Sequence, residues 1–306
     1  MNQSSTIYWS HLKMYEECPQ KFLWTKGWED IDLGRGPGKG KKRPEDRSRH
    51  HAVMGIVIQY AIECMYNDEL WRDPKNLSKN LVDLVEKEWK RQLADPRNVI
   101  DYNAAGSEES MLDICREGVI GYLQTMKKHR FLGVYAKAEV DLLGWIDKWN
   151  PIGGRADTIV RRDDTGITII DGKNTKHKMK YTDPDQLRWY ALLFKLSYRQ
   201  LPDRLAYVWY RFPYDEEAGE TGVEWIDFTE EDLKGIAQRA VDARQGMRKR
   251  KFEPTPSPST CRFCDFEPVC EARQDQRKAN AANRKPRASS KVEELKDSGG
   301  FIDLSL

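Results

Sequence analysis

The chain predicts an α/β fold: a central mixed β-sheet flanked by helices and carrying a helical insertion. Three observations carry this. Helical periodicity dominates up to about residue 130. Three strand-like segments then follow one another closely between 134 and 171. A helical segment separates the last of these from two further strands.

Each element has its own signal. Residues 4–30 read as a short helix and an aromatic-rich segment, YEECPQKFLW. Residues 34–50, GRGPGKGKKRPEDRSRH, read as a mobile loop with seven Lys/Arg against two acids. Val53, Val57, Tyr60 and Cys64 recur at helical spacing and predict a helix over 51–67. Further helices are predicted over 77–94 and 108–129, the latter with a stripe of Leu112, Cys115, Val119 and Tyr122. VYAKAEVDLLGWI (134–146) alternates as a strand. GGRADTIV (153–160) and GITIID (166–171) are two more, joined by the turn signal RRDDTG. A helix follows over 184–198, where Asp183-Pro184-Asp185-Gln186 has the form of a capping box with proline at the first helical position. DRLAYVWYRF (203–212) and GVEWIDF (222–228) read as strands. The helix over 230–250 opens with Thr229 and Asp232 in capping-box positions and ends in basic residues. These boundaries give one domain over 1–272, with a helical part to 130, a core over 131–252 and a Cys-rich knot over 253–272. A polar, flexible tail is expected over 273–306.

Composition narrows the function classes. A net charge of +2 over 306 residues is no polycation, so nucleic-acid affinity would come from local patches such as 34–50 and RKRK at 248–251. No apolar run is long enough to span a bilayer, and MNQSSTIYWSHLK lacks the apolar core of a signal peptide. A soluble, intracellular protein without a membrane partner is expected. Six cysteines in that setting point to thiols or metal ligands rather than disulfides. No G-x-x-x-x-G-K-[ST] loop is present, so any unwinding would need a partner.

The chemistry gathers around IIDGKNT, 169–175. Asp171 and Lys173 lie two residues apart and share a strand face. A hairpin centred on Asp164 places Asp157 directly opposite Asp171. Two carboxylates that close repel unless a cation sits between them, and carboxylates, a carbonyl and water are the ligand set of Mg²⁺ or Mn²⁺. Lys173 would stand beside that ion, placed to orient or deprotonate a water or to steady developing charge. Alone, Asp171 and Lys173 would be an ordinary solvent-facing pair.

Asp157 followed by Asp171-Gly172-Lys173 resembles the core of the PD-(D/E)XK nuclease superfamily, whose fold is restriction-endonuclease-like. Gln186 and Tyr190 in QLRWYA resemble the Q-x-x-x-Y motif of its RecB-type branch. The resemblance implies that Asp157, Asp171 and the carbonyl of Gly172 hold the metal. It implies too that Gln186 and Tyr190 support the site and the DNA strand. Gln186 is equally a helix cap, and Tyr190 equally a core residue. Glu139 is similar to an acidic residue that some members use as a further ligand, and it is equally a surface residue. Where the branch places a metal-binding His on an early helix, GIVIQYAIE has Gln59, between Gly55 and Glu63. A Gln carbonyl can still ligate Mg²⁺, with a shift towards Mn²⁺.

Cys261, Cys264 and Cys270 form a C-x₂-C-x₅-C run that needs a fourth ligand. Cys64 and Cys115 sit on apolar stripes, which leaves Cys18 in CPQKF as the natural fourth. An early Cys with this later run resembles the iron–sulfur nucleases, including the AddB subunit and the CRISPR-associated spacer-acquisition nucleases. The resemblance implies a [4Fe–4S] staple; zinc in the same thiolates is the alternative. The expectation is a Mg²⁺/Mn²⁺-dependent DNA exonuclease acting on ends or single strands, in the cytoplasm of a prokaryotic or phage-infected cell. A helicase, single-strand-binding or recombination protein would be its partner. The alternative is a non-catalytic DNA-end-binding or assembly protein.

Overall fold

The computed structural model describes residues 6–27, 49–132, 135–175, 177–262 and 264–282. The predicted loop up to residue 48 and the predicted tail from 283 lie outside them, while residues 273–282 of that tail belong to a helix. The chain divides into two compact units, Met1–Thr255 and Pro256–Leu306.

In chain order, the first unit opens with β1 (Ile7–Tyr8), α1 (Trp9–Glu17) and α2 (Pro19–Lys26). Then come α3 (His50–Asn67), a 3₁₀ turn (Leu70–Arg72), α4 (Leu77–Leu93), α5 (Tyr102–Ala105) and α6 (Glu108–Lys128). The strands β2 (Tyr135–Trp145), β3 (Pro151–Arg162) and β4 (Gly166–Lys173) follow. The unit ends with α7 (Lys178–Tyr181), α8 (Pro184–Tyr198), β5 (Arg204–Trp209), β6 (Val223–Ile226) and α9 (Glu230–Arg248). The second unit holds α10 (Pro258–Arg262), a 3₁₀ turn (Glu267–Val269) and α11 (Glu271–Ala282).

Among the described residues the sheet has six strands in the order β1-β3-β4-β5-β6, with β2 paired along β3. It is mixed. β2 and β4 are each antiparallel to β3, β4 and β5 are parallel, and β5 and β6 are antiparallel. The β3–β4 hairpin pairs Arg162 with Gly166 and continues to Thr158 with Ile170, so its turn is centred on Asp164 as the sequence predicts. Gly166 closes that turn with a left-handed φ of 71°, and a Cβ there would lie 2.0 Å from an Asp203 carboxylate oxygen. That same oxygen accepts the Ile167 amide at 2.7 Å, which fixes the start of β4.

Parallel strands need a crossover, and α8 supplies it between β4 and β5. Its bounds are those predicted, with Pro184 at its start. Leu187, Trp189, Ala191 and Leu193 are all fully buried between the sheet and α9. Burying each of the two leucines contributes roughly 1.5–3 kcal/mol. Trp189 also donates its indole N–H to the Gly153 carbonyl at 3.1 Å, satisfying the one polar atom it brings inside. The capping box at Thr229 forms in full, and Leu233, Ile236, Ala240 and Met247 are the inner stripe of α9.

The other sheet face is covered by α3, α4 and α6, the helical insertion. Cys115, Val119 and Tyr122 are buried as expected. The α3 stripe is rotated from its predicted position. Val53 and Val57 are buried, but Tyr60 and Cys64 are only partly so, and the inner face is completed by Ile58, Ala61, Ile62 and Met65. The helix is apolar on most sides, so periodicity alone did not select the face. Among the described residues no helix is long and apolar enough to cross a membrane.

Candidate active site

The hairpin brings Asp157 and Asp171 side by side, one step beyond the last ladder pair, Thr158 with Ile170. There the ladder gives way to a side chain: the Gly172 amide donates to Asp157 Oδ2 at 2.9 Å. Gly172 is glycine of necessity. The Tyr210 ring lies over it, and a Cβ would fall 1.7 Å from the tyrosine oxygen. Close backbone approach of this kind is a common reason for glycine in a strand.

Lys173 Nζ lies 2.5 Å from Asp171 Oδ2 and donates to Gln186 Oε1 at 3.2 Å. Gln186 Nε2 in turn donates to Asp171 Oδ1 at 3.0 Å. The three side chains thus close a ring. The alternative role of Gln186 as a helix cap is not taken up: Asp183 makes no side-chain cap bond, and its carboxylate pairs with Lys13 at 2.6 Å. Tyr190 is buried, its ring packed over Gly154 of β3, so its core role and its place beside the carboxylates coincide. Burial, then the charges of Asp171 and Asp157, push its hydroxyl upward.

Electrostatics mark this as a cation-seeking pair. Asp171 is 1% exposed. Burial raises its carboxyl above the ordinary range against the pull of Lys173. Burial, and next the Asp171 charge, raise Asp157 well above its ordinary value. The Asp157 shift reflects a poorly solvated place with a second negative charge beside it, and the Asp171 shift reflects burial itself.

Glu139 stands opposite Asp157 in the β2–β3 register and is the residue the pairing skips. Its φ is +53°, a strained value for a non-glycine residue. The strand pair changes sides at this point. Leu142 and Ile152 belong to the core under α8, whereas Ala138 and Val160 belong to the core under α3 and α6. Asn67, the last residue of α3, clamps the strand just before the break, bonding both the amide and the carbonyl of Ala138. The Glu139 carboxylate itself pairs with Arg155 at 3.5 Å.

Glu139, Gln59 and Glu63 line a cavity of about 540 Å³ formed by α3, α4 and β2. Burial, then the Glu139 charge, push the Glu63 carboxyl upward. Gln59 accepts from the Tyr210 hydroxyl at 3.3 Å, and its buried amide nitrogen has no partner. A ligand role for Gln59 therefore needs the amide turned over. That turn keeps a bond to Tyr210, because the hydroxyl can accept as well as donate.

The family profile of the PD-(D/E)XK nuclease superfamily matches residues 9–271. The chain belongs to the PD-(D/E)XK nuclease superfamily. No curated protein sequence matches it. Among solved structures, one titled "Crystal structure of SSO0001" is similar at 17% identity, covering 72% of this chain and 85% of that chain at a TM-score of 0.35.

In this superfamily member the structure unites Asp157, Asp171, Lys173 and Gln186, with Tyr190 packed beside them. It leaves Glu139 and Gln59 at the neighbouring cavity. Among the described residues no group of three or more His, Cys, Asp or Glu side chains is placed to hold a metal ion. The donor set that does converge is two carboxylates with the Gly172 backbone between them. Asp171 Oδ2 is buried without a well-aligned hydrogen bond. That set fits a hard divalent ion. Glu63, named in GIVIQYAIE but given no role there, and Tyr210, not singled out, are both neighbours of the site. Glu63 is signalled by its i, i+4 spacing from Gln59; Tyr210, just beyond β5, carries no sequence signal.

The cysteines fall in different places. Cys18 separates α1 from α2 in the first unit. Cys261, Cys264 and Cys270 belong to the second, where the Cys264 amide donates to the Cys261 carbonyl at 3.1 Å. No disulfide joins the described cysteines.

Proposed function

We propose that the chain is a Mg²⁺- or Mn²⁺-dependent deoxyribonuclease, an exonuclease acting on DNA ends or single strands. The observation that carries this is the ring of Asp171, Lys173 and Gln186 beside Asp157, inside a superfamily of nucleases. Asp157, Asp171 and the Gly172 carbonyl hold the cation, with Glu139 and Gln59 as outlying contributors. When bound, the cation supplies Lewis-acid polarisation of the scissile phosphate. Lys173 is ion-paired with Asp171 and donates one N–H to Gln186. Its remaining donor capacity can aim a water at phosphorus and stabilise charge as it develops. An ammonium in ion-pair contact donates rather than accepts a proton, which favours the positioning role over that of a base. Gln186 fixes the Lys173–Asp171 geometry, and Tyr190 fills the space beneath.

The deciding assay uses end-labelled single- and double-stranded DNA with Mg²⁺ or Mn²⁺, on protein purified without oxygen. Metal-dependent release of nucleotides is the expected result. Protein that binds DNA ends and releases nothing with either metal would instead be a DNA-end-binding protein.

Cys18, Cys261, Cys264 and Cys270 are proposed to hold a [4Fe–4S] cluster. The C-x₂-C-x₅-C spacing and the Cys261–Cys264 turn support this. Anaerobically purified protein should be brown and contain iron with acid-labile sulfide. Cys264→Ser should lose both, and Cys115→Ser should lose neither. Zinc in place of iron would overturn the assignment.

A further inference from the structure

A second cavity, of about 810 Å³, lies on the same part of the sheet as the carboxylates but outside their ring. Its floor includes Val140 and Ile159. Val140 follows Glu139 in β2, and Ile159 lies two residues along β3 from Asp157. Arg161, at its far end, is roughly 13 Å along the strand from Asp157. The lining is unusual in combining exposed aromatic rings with unpaired cations. Tyr135 is 84% exposed, and Tyr198 is 55% exposed with its ring 4.6 Å from that of Phe194. The Trp71 ring carries the Arg72 guanidinium at 4.7 Å. Arg72 pairs with Glu69, the one acid among the lining residues. Lys137 and Arg161 make no ion pair with any described residue.

We infer that this cavity is a single-strand subsite, in which bases stack on Tyr135, Tyr198 and Trp71 while Lys137 and Arg161 take phosphates. Stacking platforms interleaved with cations are how proteins grip single strands without reading sequence. The volume is that of a pocket for a drug-sized molecule and accommodates about two or three nucleotides. A duplex does not fit such a space, because its bases face one another and not the protein. Val140 and Ile159 stand next to Glu139 and two residues from Asp157 in their strands, so a strand held here is aimed along the sheet towards the carboxylates. The subsite deepens the nuclease reading and rests on it only for where the strand goes.

The test is fluorescence anisotropy of full-length protein with a labelled oligothymidylate in metal-free buffer, so that no cleavage occurs. Tyr135→Ala should weaken binding about tenfold, and Tyr135→Phe should restore it. The Lys137→Gln, Arg161→Gln double variant should flatten the salt dependence by about 1.4 logarithmic units per decade, 0.7 for each phosphate released. A duplex of the same length should bind more weakly and be indifferent to Tyr135→Ala. Equal affinity of Tyr135→Ala and wild type, or an unchanged salt slope, would overturn the subsite. A parallel arm follows hydrolysis of bis(p-nitrophenyl) phosphate, too small to span the cavity. Tyr135→Ala should leave its turnover unchanged while raising KM for the oligonucleotide. If no version of the protein hydrolyses either substrate yet oligonucleotide binding still falls with Tyr135→Ala, the subsite stands and the nuclease reading fails.

Discussion

Asp171→Ala and Lys173→Ala should each lower DNA cleavage by roughly 10³-fold or more, and the double variant should be no worse than the poorer single one. The reasoning lies in the ring. Asp171 touches Lys173 at 2.5 Å, and Gln186 bridges the two at 3.0 and 3.2 Å. Removing one pre-positioned charge stabiliser typically costs about 10²–10³ in turnover. Removing a cation ligand should cost at least as much. Groups that act as a unit are strongly non-additive, because once one is gone the other has nothing left to position. Gln186→Ala touches no reacting group, so it should cost less, about 10–100-fold. End-labelled DNA with Mn²⁺ measures all four. Full activity in both single variants would refute the mechanism, and additive losses would show that Asp171 and Lys173 act independently.

Much of this site was readable because it is built from local rules. The turn after Arg162 and the β-strand period are enough to set Asp157 against Asp171, and both operate within a few residues. The crossover helix announces itself through Pro184 and a dense apolar run. What was not readable depends on distant partners. Gln186 sits where a cap is expected, but Lys173 and Asp171 offer it charged partners, and the Asp183 amide it would cap donates instead to the Tyr207 hydroxyl. The left-handed backbone at Glu139 has no local cause in the sequence. It follows from β2 having to serve two cores, with Asn67 of α3 clamping Ala138 on one side of the break and Leu142 packing under α8 on the other. Tyr210 over Gly172 is likewise a contact between elements far apart in the chain, and the glycine alone would have suggested only a weak strand position.

Asp157→Asn should lose cleavage about as severely as Asp171→Ala, and yet should melt at a higher temperature than wild type in metal-free buffer at neutral pH. The fold raises the Asp157 carboxyl through burial and the neighbouring Asp171 charge. A carboxyl whose folded value lies above its unfolded value holds more protons in the native state. Its contribution to stability therefore falls as pH rises from the ordinary carboxylate value to the raised one. At neutral pH, above the ordinary carboxylate range, the native protein bears a cost for that charge that the unfolded chain does not. Asparagine removes the charge while its carbonyl can still accept the Gly172 amide, now at 2.9 Å from Asp157 Oδ2. The advantage of the variant should shrink as pH is lowered towards and below about 4, where the carboxyl becomes protonated in the unfolded as well as the folded chain. A divalent cation should reverse the order. At 100 times its Kd it stabilises wild type by about 2.7 kcal/mol. That corresponds to a rise on the order of 5–10 °C for a domain of this size. The variant, lacking one of the two carboxylates, should respond far less. Melting curves with and without Mn²⁺ at neutral and acid pH decide it. A variant no more stable than wild type without metal, or one that gains as much from Mn²⁺, would show that Asp157 and Asp171 are not held apart from their preferred state by the want of a cation.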